Sequence, residues 1–201
     1  MQNQGEQKDR ELWAALKQSH EKALSDLFLA YAESLYNYGY MLCRNKELVE
    51  DCLQDLFLAL WKKRRNLSDV QRVQPYLMIA LRHRIQDACR KKKRTTPLTV
   101  ESHPLEQLGA TSSIEEDWVA SERESQQEKL IAQALAILPD RMRQAVYLRY
   151  FGGLEYADIA AIMDIRPQVA VNMVYRATKK LRAYSKEYSE WLFFCILSQL
   201  L

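Results

Sequence analysis

The sequence is short of the residues that strands and tight turns consume, with five glycines and five prolines in 201 residues, which argues against a β-rich fold. No apolar run reaches the ~20 residues needed to cross a membrane; the longest, Trp191–Leu197 followed by Leu200 and Leu201, falls short. Cys43, Cys52, Cys89 and Cys195 are scattered without a C-x-x-C pair, and no histidine stands at ligand spacing. That argues against a metal site or a disulfide framework, and reduced, buried thiols are expected. A glycine-rich phosphate loop is missing, as is any useful His–carboxylate pairing. Neither catalysis, nor a cofactor, nor a small-molecule substrate is therefore expected. Met1–Arg10 is polar and charged, unlike a secretory leader, and predicts a cytosolic, that is cytoplasmic, protein.

What the chain does have is long stretches of Ala, Leu, Glu, Lys, Arg and Gln, which favour helix. Leu12, Trp13 and Leu16 form one apolar stripe; Leu24, Leu27, Phe28, Tyr31, Leu35 and Tyr38 form a longer one. Gly39 and Asn45 loosen the pattern before a helix over roughly Lys46–Arg64. A loop over Asn66–Gln74 then leads into a helix from Pro75 to about Lys92, where proline suits the first turn. Thr95–Ser113 holds Pro97, Pro104, Gly109 and clustered Ser and Thr without helical period, and reads as a linker. A helix then runs to Leu138, Pro139 stops it, and three short helices follow to about Tyr184, with Gly152-Gly153 as a terminator between two of them. The net charge of +3 hides an uneven distribution. Arg82, Arg84, Arg90, Lys91, Lys92, Lys93 and Arg94 stand against the lone Asp87, while Thr95–Trp118 carries five carboxylates and no Lys or Arg.

The predicted fold is all-α: two small helical domains joined by a flexible linker, the second containing a helix-turn-helix. In Leu154–Arg182, Tyr156, Ile159, Ala160 and Met163 make one apolar stripe, and a tight break follows at Asp164–Arg166. The next helix buries Ala170, Met173, Val174, Ala177 and Leu181; at ~100° per residue, Gln168, Asn172, Tyr175, Arg176 and Lys179 point away. Amide, aromatic and cationic groups in one row suit base edges and phosphates. A plain solvated face on a helical hairpin is the rival reading.

In the first domain, Cys52, Leu53, Leu56, Phe57 and Leu60 share one side of a helix. Asp51, Gln54, Asp55 and Lys62 share the other, with Leu58 among them and Trp61 at the border. Spacing leaves open whether this is a docking surface or an ordinary helix with one exposed leucine. On the helix from Pro75, Leu77, Leu81, Ile85, Ala88 and Cys89 face inward, while Tyr76, His83, Arg84, Asp87, Arg90 and Lys91 line the opposite flank. Cations there can hold a backbone and rings can stack on unpaired bases; the plainer alternative is a basic helix end complementing the macrodipole.

Over roughly residues 10–185 these motifs resemble the sigma-70 superfamily, in particular its extracytoplasmic-function (ECF) group. The stretch Glu50–Trp61 is similar to the family pattern D-x-x-Q-[ED]-x-F-x-x-x-W, whose polar face docks on the clamp helices of the polymerase largest subunit. The resemblance thus implies polymerase binding through Asp51, Gln54, Asp55, Leu58 and Trp61. Tyr76-Leu77 through Arg82, then Asp87 and Arg90, resembles the helix that captures minus-ten bases, with His83 where Asn is common. The loop Leu67–Gln74 corresponds to one that holds a flipped base, an extrusion costing a few kcal/mol. Leu138-Pro139 with Arg143, Val146, Tyr150 and Leu154 resembles the segment contacting the polymerase flap. Ile159–Leu181 resembles the minus-thirty-five helix-turn-helix, with Val169-Ala170-Val171 replacing the usual Thr-Val and cation. The acidic linker fits a path through the polymerase RNA exit channel, or a plain solvated connector.

The resemblance implies core RNA polymerase, promoter DNA and an anti-sigma factor as partners, no covalent chemistry, and four segments. These are residues 1–94 for polymerase and the minus-ten element, a linker over 95–114, 115–186 for the minus-thirty-five element, and a hydrophobic C-terminal helix over 187–201. That tail either folds back on the protein or docks to an anti-sigma partner. The alternative function, a stand-alone helix-turn-helix regulator, leaves the Asp51–Trp61 face and the basic helix unexplained.

Overall fold

The structure, a computed structural model, describes residues 2–95 and 134–188, with side chains over 5–91 and 134–184. The expected linker beyond Thr95, most of the helix expected before Leu138, the tail from 189 onward, and the side chains of Lys92, Lys93 and Arg94 lie outside the described residues. All regular structure among the described residues is helical, and the chain divides into two units, Met1–Ala110 and Thr111–Leu201.

The first unit holds α1 (Gln2–Lys17), α2 (Glu21–Cys43), α3 (Lys46–Lys63), a 3-10 turn (Arg64–Asn66) and α4 (Val73–Thr95). Helices α2, α3 and α4 pack on one another, and α1 lies against α2 and α4. The fully buried side chains Leu16, Leu27, Leu35, Tyr38, Leu77, Met78, Leu81 and Ile85 show the helical spacing of their stripes. Helix α2 ends on Arg44 in the left-handed region (φ 49°), its N–H bonding the Tyr40 carbonyl at 2.8 Å. The next residue, Asn45, caps α3 by accepting the Leu48 N–H at 2.9 Å, which satisfies one of the free donors of the first turn. Pro75 falls in the first turn of α4, two residues further in than its expected role as the start.

Gly39 departs from expectation. It does not loosen α2, which runs straight through it to Cys43. Gly39 is buried, and a Cβ there would lie 2.8 Å from Val49 Cγ1 and 3.2 Å from Ile85 Cδ1. The missing side chain lets α2 approach α3 and α4 closely.

The second unit has a helical turn at 134–136, then α5 (Asp140–Val146), a π-helical segment (Tyr147–Phe151), α6 (Tyr156–Met163) and α7 (Pro167–Tyr188). Its core gathers Ala134, Leu138, Val146, Ala177 and Leu181, flanked by Leu135, Met142, Tyr150 and Tyr184. Both α5 and α6 pack on α7. Pro139 stops the preceding turn, and the Arg143 guanidinium reaches back to it, donating to the Leu138 carbonyl at 3.0 Å and, beside the Leu138 N–H, to the Leu135 carbonyl at 3.1 Å. The π segment closes with the Gly152 N–H on the Tyr147 carbonyl at 2.9 Å. Gly153 then turns the chain with φ 62°, a conformation glycine adopts without a Cβ clash.

Candidate nucleic-acid interface

The two-helix corner of the second unit is built around a short turn. Asp164 ends α6 in the left-handed region (φ 55°), its N–H directed at the Ala160 and Ala161 carbonyls, and the Ile165 N–H reaches the Ala160 carbonyl at 3.0 Å. Aspartate tolerates that backbone better than most residues. Ala160 is buried at the crossing, small enough for α6 and α7 to approach. Ala170, Val174, Ala177 and Leu181 are buried, as expected, while Met173 is only half-buried.

The opposite face of α7 presents Gln168, Asn172, Tyr175, Arg176 and Lys179, all exposed. Tyr175 is 66% exposed, a large ring left in water. Gln168 and Asn172 align through an amide hydrogen bond of 3.3 Å. Thr178 points its hydroxyl back to the Val174 and Tyr175 carbonyls, at 3.0 and 2.9 Å, and so adds nothing to the face. Arg166, in the turn, and Lys180 and Arg182, along the helix, are also exposed and extend the cationic surface. Arg166 was legible only as a turn residue. Val171, at the position where the family usually has a cation, is half-buried.

In the first unit, Asp51, Gln54, Asp55, Leu58 and Lys62 are exposed on α3, with Leu58 48% exposed. Trp61 is half-buried, and the Arg64 guanidinium lies 4.0 Å from its ring centroid. Arg64 also donates to the Trp61 carbonyl at 2.7 Å and to Ser19 Oγ at 2.9 Å. Phe28, expected in the buried stripe of α2, is instead 41% exposed and meets Phe57 edge-on at 5.1 Å. Leu29 beside it is 78% exposed, pointing away from the side of α2 that buries Leu27.

On α4, His83, Asp87, Arg90 and Lys91 are exposed and Arg84 is half-buried. Arg82, counted above with the basic cluster, is buried and lies off that face. Arg90 and Asp87 pair loosely at 3.8 Å, an exposed contact of little energetic weight. Tyr76 is half-buried, its ring meeting Trp13 at 5.1 Å in an edge-on contact. The preceding loop is tied to α1. The Trp13 indole N–H donates to the Ser68 carbonyl at 3.1 Å, Lys17 pairs with Asp69, and Arg72 pairs with Glu6 at 2.9 Å.

Cys43, Cys52 and Cys89 are buried thiols outside any disulfide, and Cys195 lies outside the described residues. Burial pushes the thiols of Cys43 and Cys52 up to about 11. Burial, followed by its bond to Asp9, also raises the Tyr31 phenol. Among the described residues no cluster of His, Cys, Asp or Glu could hold a metal ion, and no helix is long and apolar enough to cross a membrane.

A helix-turn-helix with an amide, aromatic and cationic face, together with a separate four-helix unit bearing a basic helix, defines a helical DNA-binding protein. Residues 27–95 match the model of sigma-70 region 2, and residues 128–181 match that of sigma-70 region 4. The chain belongs to the sigma-70 family of RNA polymerase sigma factors, in its ECF group. It is 24% identical over 161 residues to the ECF RNA polymerase sigma factor SigM of Bacillus subtilis, a match covering 80% of this chain and 93% of SigM. It is 28% identical over 164 residues to RNA polymerase sigma factor CarQ of Myxococcus xanthus, covering 81% and 88%. A solved structure of the sigma factor RpoE of Bartonella quintana, in complex with the anti-sigma factor NepR, shares the fold. Its TM-score is 0.57 at 21% identity, covering 82% of this chain and 98% of that one. The chain is a promoter-directing sigma factor that partners core RNA polymerase and promoter DNA; the stand-alone regulator is not favoured, since it accounts for region 4 alone.

Proposed function

We propose that promoter recognition by this chain is divided among three surfaces. The exposed face of α3, with Asp51, Gln54, Asp55 and Leu58, docks on core polymerase, and Trp61 borders that contact under its Arg64 cover. Tyr76, His83, Arg84, Arg90 and Lys91 of α4, with the loop 67–72 ahead of them, receive the opened minus-ten strand. Gln168, Asn172, Tyr175, Arg176 and Lys179 of α7 read the minus-thirty-five element, with Arg166 supplying positive charge near the position where Val171 brings none. The corresponding segments are residues 1–94 and 115–186, joined by 95–114, with the apolar stretch 187–201 following them. The factor works by binding alone, in the cytoplasm where its DNA lies. An anti-sigma partner fits the same reading, since the RpoE structure holds one.

The observation that carries this reading is the α7 face: five side chains suited to base edges and phosphates stand exposed on the second helix of a helix-turn-helix. Reconstitution of the full chain with core polymerase on a library of promoter fragments tests it. Transcripts starting at discrete sites, absent with core polymerase alone, are expected. A chain that binds DNA but yields no such transcripts would return the stand-alone regulator.

A further inference from the structure

Helix α1 and the first turns of α2 lie ahead of the region 2 match, which begins at residue 27. Yet α1 holds the loop between α3 and α4 at several points. Glu6, Trp13 and Lys17 are seven and four residues apart, a spacing that puts all three on one face of a helix. That face meets the loop: Glu6 takes Arg72 at 2.9 Å, Trp13 donates to the Ser68 carbonyl at 3.1 Å, and Lys17 takes Asp69. Trp13 is 2% exposed, so its indole N–H needs a partner within the protein, and the ring also braces Tyr76 edge-on at 5.1 Å. The loop 67–72 has no regular secondary structure of its own. Its shape therefore depends on these tethers.

We infer that α1 is a positioning element for base capture, with Trp13 and Lys17 holding the loop 67–72 in the form that receives an unpaired promoter base. The inference rests on the reading of this loop given above. An exposed ion pair alone contributes little to stability. Its value here is different: a loop ordered in advance loses less freedom when a base enters, so the tethers act on DNA affinity. Extruding a base already costs a few kcal/mol, and a loop that also had to order itself would weaken capture further.

The experiment uses holoenzyme made from core polymerase and the full chain. Its probe is a single-stranded oligonucleotide carrying a minus-ten sequence selected by that holoenzyme from a randomised library, either intact or with an abasic site at each position in turn. For the unaltered protein, the abasic site at the captured position should weaken binding about tenfold or more, as loss of a stacked base does. Trp13→Phe, which keeps a ring but removes the donor, should weaken intact-probe binding about five- to tenfold. Lys17→Glu should weaken it about two- to fivefold. In both variants the abasic penalty at that one position should shrink, while penalties elsewhere and affinity for core polymerase stay unchanged. The exchange Lys17→Glu with Asp69→Lys should restore the penalty. Variants that keep the full penalty would overturn the inference. So would a uniform loss at every position together with polymerase affinity, the mark of a helix that only stabilises the fold. If the unaltered protein shows no position-specific penalty, the loop reading itself fails before α1 is at issue.

Discussion

Arg176 and Asp55 are both exposed charges on amphipathic helices, and nothing in their burial tells them apart. Their neighbours do. Arg176 follows the exposed Tyr175 and shares its face with Asn172 and Lys179, whereas Asp55 sits between Gln54 and a half-exposed Leu58 with Asp51 one turn away. Arg176→Ala should therefore weaken minus-thirty-five recognition by about 1–3 kcal/mol and relax base preference there. Asp55→Ala should lower affinity for core polymerase and leave the promoter preference of saturated holoenzyme intact. Titrating core polymerase with each variant, then footprinting at saturation, separates the two; a reversed pattern would undo both assignments. The five-residue face of α7 was legible because helical period alone sorts it from Ala170, Val174, Ala177 and Leu181. Arg82 was not, since an arginine within a basic run looks exposed until the packing of α4 buries it. Nor was the cover of Arg64 over Trp61, because an arginine three residues past a ring at a helix end can equally turn to solvent.

At the scale of elements, the apolar stripes located α3 and the helix-turn-helix, while glycine misled. A glycine that breaks a helix and one that lets two helices touch are the same letter, and only the partner helix distinguishes them. Gly39 belongs to the second kind, and Gly153, with its positive φ, to the first. Gly39→Ala gains about 1 kcal/mol of helix propensity. It also forces a methyl against the stiff, β-branched Val49 at 2.8 Å, an overpacking that costs about 1–3 kcal/mol. A net loss of up to about 2 kcal/mol in urea unfolding is expected, and Val49→Ala in the same chain should recover part of it. Additive losses would mean that Gly39 does not set the helix separation. The π segment was also illegible: Tyr147 and Phe151 stack at 5.6 Å across it, yet their four-residue spacing reads as ordinary α-helix.

Across the whole molecule, the order of parts is legible in the sequence, because two charge-patterned helical regions flank a stretch with proline, glycine and no helical period. The brace of α1 on the loop 67–72 was not, since it joins residues up to 66 positions apart through an indole N–H and two ion pairs. Stability should carry a mark of the buried thiols. The folded state holds the protons of Cys43 and Cys52 more tightly than the unfolded chain, so their contribution is complete below the ordinary value of 9.0 and fades as pH rises towards about 11. Unfolding curves taken across that interval should move to lower urea. At neutral pH the same two sulfurs are protonated and enclosed, which makes them poor nucleophiles. In a Cys195→Ser chain, an alkylating reagent should therefore advance no faster than the first unit opens, and the enclosed thiols become a clock for how often its helices part.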